Sequence, residues 1–380
     1  MDPAHDNAAA ARPIAVVADG FDPARGGAER VAAQLVAALR ARGHTVETIE
    51  PPAAGGALRR AIALASAAQR ARAQGRFVVS LCKAPGDLVC PQGGLHLAAM
   101  AGALEPYPAA LRPVLGAARL LAPRQFAFLA AERRQYAQAR HFVAISERVR
   151  QDMIRIAGVP PERIEVCRLG VDLAHFRPPT DEARRDARRR LGLAADALVL
   201  LFASHNYRLR GLGRLLRALA QIEPTRRARL GLTLLVAGRG ERARLQRLAH
   251  RLEIALVAAG QQSDMRAVYH AADALVHPTF YDTSSLVILE AMACGLPVVT
   301  TAGHGGAEFL RGPESVLVPP GRDPAPLARA IERLFEPGAR RALGRSARAC
   351  AERYPLELSL ARLVDRIEDA LLASAPPETP

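Results

Sequence analysis

"HPTFYDTSSLVILEAMACGLPVVTT", residues 277–301, is the stretch on which the fold turns. It places two carboxylates, Asp282 and Glu290, eight residues apart. Thr283, Ser284 and Ser285 follow the first, and an apolar run then leads through Gly-Leu-Pro into the strand-like "PVVTT". Hydroxyl residues ahead of an apolar run read as a helix N-terminus, where the first amides lack intrahelical acceptors and the helix dipole is positive. Glu290 then lies ~9 Å along the helix axis from that terminus. The spacing suits a ligand with hydroxyls at both ends and a diphosphate between them, such as a nucleotide sugar. The competing reading, an N-cap aspartate and a solvated glutamate, fits poorly with "LVIL" and "AMACG" on either side of Glu290.

Working outward, strands and helices alternate. "ALVLLFAS" (197–204), "LTLLVAG" (232–238), "IALVAAG" (254–260), "ADALVHPT" (272–279) and "SVLVPP" (315–320) read as buried strands, with helices from 212, 241 and 324. Upstream, "PIAVVAD" (13–19), "TVETIE" (45–50), "FVVSL" (77–81), "HFVAIS" (141–146) and "IEVCRLG" (164–170) repeat the pattern around helices at 28–42, 56–74 and within 106–140. The charged stretch 172–190, with Pro178 and Pro179, reads as a linker. The expectation is an α/β protein of two Rossmann-like, doubly wound domains facing a central cleft. We place an acceptor-binding domain at 1–175 and a nucleotide-sugar-binding domain at 176–355. A final segment, 356–380, carries a helix that crosses back to the first domain, then a tail.

Length and composition allow two ordinary cores, and half of the 380 residues are hydrophobic. A formal charge of +15 invites a nucleic-acid or anionic-surface reading. The charge is spread along the chain, however, and is almost all arginine, with Lys83 the single lysine. Aromatics are 4% and tryptophan is absent, so base-stacking platforms are scarce and no nucleic-acid partner is expected. Cys82, Cys90, Cys167, Cys294 and Cys350 show no metal-ligand spacing and fit buried thiols in a reducing cytoplasm. The opening "MDPAHDNAAAARPIAVV" lacks the basic start of a secretory signal, and no apolar run reaches membrane-span length. Residues 106–140 combine Leu111, Leu115, Leu120, Leu121, Phe126, Phe128 and Leu129 with many arginines, and Glu132 is the one carboxylate between Glu105 and Arg140. Such a segment can lie on an anionic leaflet or pack on its own sheet. The expected location is cytoplasmic and peripheral, on the cytoplasmic face of the inner membrane.

Three further motifs follow strands. In "DPARGGAER" (22–30), Gly26 and Gly27 let backbone approach an anion or sugar at a helix start, or simply make a tight turn. In "ASHNYRLRGLGRLL" (203–216), Arg208 and Arg210 can grip a diphosphate or stand solvated. "KAPGDLVCPQGGLHLAA" (83–99) gathers Lys83, Asp87 and His96 around a glycine turn, with a core histidine as the bland alternative.

The D-x7-E spacing before "AMACGLPVVTT", with "GGAEFL" (305–310), resembles the donor-site signature of family-4 glycosyltransferases of the GT-B fold. "GGAER" (26–30) is similar to their N-terminal glycine loop. "FVVSLCKAPGDLV" (77–89), "YAQARHFVAISERVRQDMI" (136–154) and "IEVCRLGVDLAHFRP" (164–178) look most like the lipopolysaccharide-core glucosyltransferases, which move a hexose onto inner-core heptose. The resemblance implies retaining transfer from a nucleoside-diphosphate sugar, UDP-glucose foremost, with no metal or other cofactor. The acceptor it implies is lipid-linked or an oligosaccharide, in lipopolysaccharide-core or other cell-envelope polysaccharide synthesis. By the same resemblance Glu290 holds the ribose and Asp282 the donor sugar, with main chain at Thr283, Ser284, Ser285 and Leu286 meeting sugar and phosphates. Arg210 stands in place of a diphosphate-binding lysine, with Arg208 beside it. His96 matches a histidine at the reaction centre, and Gly26 and Gly27 frame phosphates and acceptor. The implied catalytic set is His96, Asp282 and Arg210. Three departures stand out: Asp282 where the family has Glu, Arg210 for Lys, and Gly93 where core glucosyltransferases often carry Asp. An epimerase of the same fold, a charge-driven binding protein and an inactive GT-B partner subunit are the alternatives.

Overall fold

Short apolar runs flanked by glycine and proline become strands covered on both faces, which is how parallel sheets are built. The computed structural model describes residues 12–374 apart from Glu241, Arg311, Pro313 and Glu314; the stretch 1–11 and the expected tail at 375–380 lie outside the described residues. The first sheet contains β1 (Ile14–Val17), β2 (Val46–Ile49), β3 (Phe77–Ser80), β4 (Leu88–Val89), β5 (His141–Ala144) and β6 (Ile164–Val166), in the order β2-β1-β3-β4-β5-β6. The second contains β7 (Val199–Ala203), β8 (Thr233–Ala237), β9 (Ala255–Gly260), β10 (Ala274–His277), β11 (Val298–Thr301) and β12 (Ser315–Val318), ordered β12-β11-β10-β7-β8-β9. Every pairing between these strands is parallel. These two six-stranded α/β sheets bear out the two-domain GT-B architecture. Chain order reverses between β1 and β3 in one sheet and between β7 and β10 in the other. The carboxyl ends at those two points meet at the domain boundary, where Thr283 reaches Gln92 and Gly27 faces Leu286, the place where such sheets bind ligands.

The expected linker is largely folded. Within 172–190, Asp181–Arg190 is a helix capped by Thr180, whose hydroxyl accepts from the Ala183 amide at 3.2 Å. Its Arg188 is buried, paired to Asp273 at 2.7 Å and bonded to the carbonyls of Ala271, Ala195 and Ala197. A run that reads as solvated charge therefore anchors itself on the second sheet. The basic region 106–140 also departs from one continuous helix. It breaks into a single turn, Ala109–Leu111, then Arg112–Leu120 and Pro123–Gln138, the last begun by Pro123 at a position where proline loses nothing.

The chain crosses between domains twice, and the crossings touch: Val171 and Leu356 exchange backbone bonds with Tyr354 and Val171 at 3.0 Å each. The last helix, Leu356–Ala373, buries Leu363, Val364, Ile367 and Ala370 in the core of the first domain. Its outer side adds Asp365 and Glu368 to Arg42. Two groups of the second domain lock onto the first. Tyr281 enters the first domain's core, close enough that a side chain on Gly94 would lie 2.5 Å from its hydroxyl. Glu308, the acid of "GGAEFL", accepts from the amides of Glu147 at 2.9 Å and Arg148 at 2.8 Å, the first two of helix Glu147–Ala157, whose Val149 amide is capped by Ser146.

Candidate donor site

The loop after β10 brings Asp282 to the boundary with the first domain, between Tyr281 and Thr283, which both contact it. Its side chain is buried, with Oδ2 2.8 Å from Arg210 Nη1 and 3.5 Å from His277 Nε2. Burial by itself would raise this carboxyl, but Arg210, His277 and His304 outweigh it and hold Asp282 well below the usual carboxylate range. Asp282 is therefore a fixed anion. Arg210 reaches it from the loop after β7 and also donates to the Tyr281 carbonyl and to Thr279 Oγ1. About a quarter of the Arg210 side chain stays exposed.

Behind Asp282 stands a histidine pair that the sequence reading missed. The Gly306 amide donates to His304 Nδ1 at 3.1 Å, which puts the ring proton on Nε2, 2.9 Å from Thr300 Oγ1. Thr300 in turn donates to the His277 carbonyl at 2.6 Å. Burial drives His304 down to about 3, and burial also lowers His277. His277 was visible as the first residue of the quoted stretch; nothing local distinguished it from a core histidine.

Ser285 occupies the N-cap position and its hydroxyl caps nothing, so the helix Leu286–Ala293 begins with amide donors unspent on side chains. Thr283 turns its hydroxyl to the Gln92 carbonyl of the first domain at 2.9 Å. Ser284 Oγ has no hydrogen-bond partner among the described residues. Glu290, in the same helix, is buried in the interface between domains. Tyr269 donates to its Oε2 at 2.7 Å, and Arg30 of the first domain pairs with Oε1. A cavity of about 230 Å³ beside Glu290 is lined by Arg30, Asp172, His175, Phe176 and Leu286. Tyr269 and Arg30 were not predicted; both looked like ordinary core and surface residues.

Of the remaining predicted residues, Gly27 starts the helix Gly27–Ala41 and faces the donor helix directly, since a side chain there would meet Leu286 at 2.9 Å. Gly26 is its N-cap. Arg208 is not with Arg210 at Asp282; it bonds the Tyr107 hydroxyl and lies over that ring. The His96 ring contacts Lys83 Nζ at 2.6 Å, Gln125 at 2.5 Å and Phe128, all within the first domain. Burial lowers its pKa, and Lys83 adds to that while Gln125 opposes it. Asp87 leaves this group altogether: it accepts from the Val78 amide and pairs with Arg72. A cavity of about 520 Å³ adjoins Lys83 at the ends of β1 and β3, with Asp19, Glu29, Arg60, Gln92 and Glu132 in its wall. Burial, then Glu29, raises Asp19, and burial raises Glu132. Asp19 was readable as the acid closing "PIAVVAD", yet was not singled out.

The chain is similar to known glycosyltransferases in sequence and in structure. A family model described as "Glycosyl transferases group 1" matches residues 197–337, and one described as "Glycosyltransferase Family 4" matches residues 112–175. The chain is 32% identical over 296 residues to D-inositol 3-phosphate glycosyltransferase 1 of Catenulispora acidiphila, covering 71% of this chain and 69% of that one. It spans about half to three fifths of the length of other curated relatives that it matches. In structure it is similar to WaaG, a glycosyltransferase involved in lipopolysaccharide biosynthesis (TM-score 0.78, 20% identity, 93% of this chain and 99% of that one). It is also similar to Anabaena Alr3699/HepE in complex with UDP and glucose (TM-score 0.69, 18% identity, 94% and 100%).

Proposed function

The chain belongs to the family 4, group 1 glycosyltransferases, and from that premise we propose that it moves a sugar from a nucleoside diphosphate to an acceptor hydroxyl. The observation that carries the reading is the pair of buried carboxylates, Asp282 and Glu290, set on either side of an uncapped helix start in the second domain. Asp282, held ionised, accepts hydroxyls of the donor sugar. Glu290 spends one position on each oxygen with Tyr269 and Arg30, and a carboxylate offers about four, so ribose hydroxyls have acceptors left. Negative charge growing on the departing diphosphate meets Arg210 and the helix start. These groups supply the charge compensation, so the reading assigns no metal or other cofactor. We take the outcome as retaining and the donor as UDP-glucose, the sugar and nucleotide being those bound to the Anabaena neighbour.

The acceptor occupies the 520 Å³ cavity, where Asp19, Glu29 and Glu132 can receive hydroxyl protons. A lipid-linked or oligosaccharide acceptor of the cell envelope fits best with Leu111, Val114, Leu121 and Phe126, which stand exposed among arginines in the segment that continues into Phe128 and Glu132 of that cavity's wall. We assign them to peripheral docking on the anionic inner membrane. No helix among the described residues is long and apolar enough to cross a membrane. A phosphorylated polyol is the second reading: Arg25, Arg60 and Lys83 line the same cavity, and the curated relatives include D-inositol 3-phosphate glycosyltransferases.

The test is a melting panel of UDP-, GDP- and ADP-sugars with wild type and Glu290→Gln, followed by transfer assays with the stabilising donor. A donor at ~100 times its Kd should add about 2.7 kcal/mol, an effect Glu290→Gln should largely remove. A folded wild type indifferent to every donor would overturn the assignment.

A further inference from the structure

We propose that Lys83 is the side chain that grips the acceptor, and that His96 serves the transfer through Lys83, as a positioning residue held away from the reacting atoms. This rests on the assignment of the first domain's cavity, of about 520 Å³, to the acceptor. β1 and β3 lie side by side in the first sheet, with Val17 opposite Ser80. Asp19 follows the one and Lys83 the other, so a carboxylate and the chain's single lysine reach the cavity wall from neighbouring strand ends.

Neither charge is spent on the protein. Asp19 has no hydrogen bond or ion pair among the described residues. The Lys83 ammonium makes one hydrogen bond, to His96 Nδ1 at 2.6 Å, and meets no carboxylate at ion-pairing distance among the described residues. The two still attract each other through space. Opposite charges held apart on one cavity wall suit a polyhydroxylated ligand, whose hydroxyls donate to the acid and accept from the ammonium. Burial lowers Lys83 from its ordinary value, and Glu132 and Asp19 work to keep it charged.

The His96 ring, by contrast, is fully engaged. An ammonium only donates, so Nδ1 accepts from Lys83 and the ring proton sits on Nε2, which donates to Gln125 Oε1 at 2.5 Å. Phe128 packs against the ring at 5.3 Å between centroids and lies 5.7 Å from Lys83 Nζ. The His96 amide donates to Glu132 Oε1 at 2.6 Å, which fixes where the ring begins. With both nitrogens used, His96 has no atom left for a reacting group. It is also not among the residues of the cavity wall, to which Lys83, Phe128 and Glu132 belong. A lysine stem is flexible and loses rotamer freedom when ordered. His96 and Phe128 supply that order before the acceptor arrives, and two ammonium protons remain for an acceptor oxygen, whether of a hydroxyl or of a phosphate.

The experiment measures transfer from UDP-glucose to D-inositol 3-phosphate and to a lipopolysaccharide-core oligosaccharide. Wild type is compared with Lys83→Met, His96→Phe, His96→Asn and the double variant Lys83→Met with His96→Phe, and UDP-induced stabilisation monitors folding and the donor site separately. For the acceptor that turns over, Lys83→Met should raise KM about tenfold or more, as expected for losing a charge-assisted contact, with the response to UDP unchanged. His96→Phe keeps a ring against Phe128 but removes the acceptor for Lys83, and should raise the same KM about threefold. His96→Asn, whose side-chain oxygen can still accept, should recover most of that loss. In the Lys83→Met background His96→Phe should add nothing, because two residues acting through one contact are not additive. Since Lys83 is the single lysine, protein carrying isotope-labelled lysine gives one side-chain signal, which should shift in His96→Phe and again on adding the acceptor. The proposal falls if Lys83→Met leaves the acceptor KM unchanged. It falls equally if His96→Phe lowers kcat alike in both backgrounds, which would put His96 at the reacting atoms. A wild type that responds to UDP but transfers to neither probe overturns instead the acceptor assignment beneath it.

Discussion

Tyr269 donates to Oε2 of Glu290 at 2.7 Å from within the core of the second domain. The tyrosine fills a fully buried position, so its hydroxyl has no water to fall back on and the carboxylate oxygen has no substitute donor. Tyr269→Phe keeps the ring and removes the bond. It should cost about 1–3 kcal/mol of stability, the range for orphaning a buried acceptor. It should also weaken UDP binding several-fold by releasing Glu290 from its rotamer. Urea unfolding and UDP calorimetry on one preparation separate the two effects; unchanged UDP affinity would place the nucleotide elsewhere.

Arg30 approaches the same carboxylate from the other domain, stacked over Phe176 at 5.8 Å. It uses one acceptor position of Glu290 and leaves the others, so its role is to orient rather than compete. Arg30→Gln should therefore lower UDP affinity about fivefold, roughly 1 kcal/mol. Competition between Arg30 and the ribose would produce the opposite sign, tighter binding in the variant, in the same titration.

His304 makes stability depend on pH. Its folded pKa of about 3 lies below the unfolded value of ~6.5, so in that interval the unfolded chain binds the extra proton. Stability is complete above the unfolded value and is lost as pH falls through the interval, by up to ~3 kcal/mol at pH 4 from this group alone. Burial lowers His277 as well and adds a slope of the same sign. In His304→Asn the side-chain oxygen can still accept from the Gly306 amide, while the titrating ring is gone. Denaturant unfolding between pH 7 and 4 should show a shallower, still positive slope for the variant; an identical slope would remove His304 as its source.

Asp282 and Glu290 were legible because their signal is local: spacing on a helix, hydroxyls ahead of it, apolar neighbours around it. Their partners are not local. Arg30 is 260 positions from Glu290, and Tyr269 sits in "AVYHAAD", where an aromatic on an apolar face reads as core until the fold brings it to the carboxylate. Both sheets were visible because parallel strands are continuous apolar runs, but strand ends were not: "IEVCRLG" stops pairing at Val166, where the chain leaves for the crossing between domains. The linker was misread for a related reason. Arg188 has the composition of solvated charge, and only the carbonyls and Asp273 of the neighbouring loops make it a buried anchor. Glu308 belonged to a recognised motif, yet its job of capping another domain's helix is set by domain closure.

Gly305 and Gly93 lie on opposite sides of the closed cleft and should respond oppositely to a side chain. A Cβ on Gly305 would run into the Thr283 carbonyl oxygen and lie 2.7 Å from Ser146 Oγ of the first domain. Neither atom is the loose end of a flexible chain, so the loop carrying Asp282 must shift. Gly305→Ala should cost about 2–4 kcal/mol and weaken donor binding even at temperatures where the variant is folded. Around Gly93 nothing lies within 4 Å of the added carbon, and the residue lines the first domain's cavity. Gly93→Asp should therefore melt within ~0.5 kcal/mol of wild type and bind UDP unchanged. Any effect should fall on the acceptor's KM or on kcat, because the new carboxylate joins the wall with Lys83 and Glu132 rather than the donor groups. A variant that loses UDP affinity instead would mean that the two cavities form one donor site.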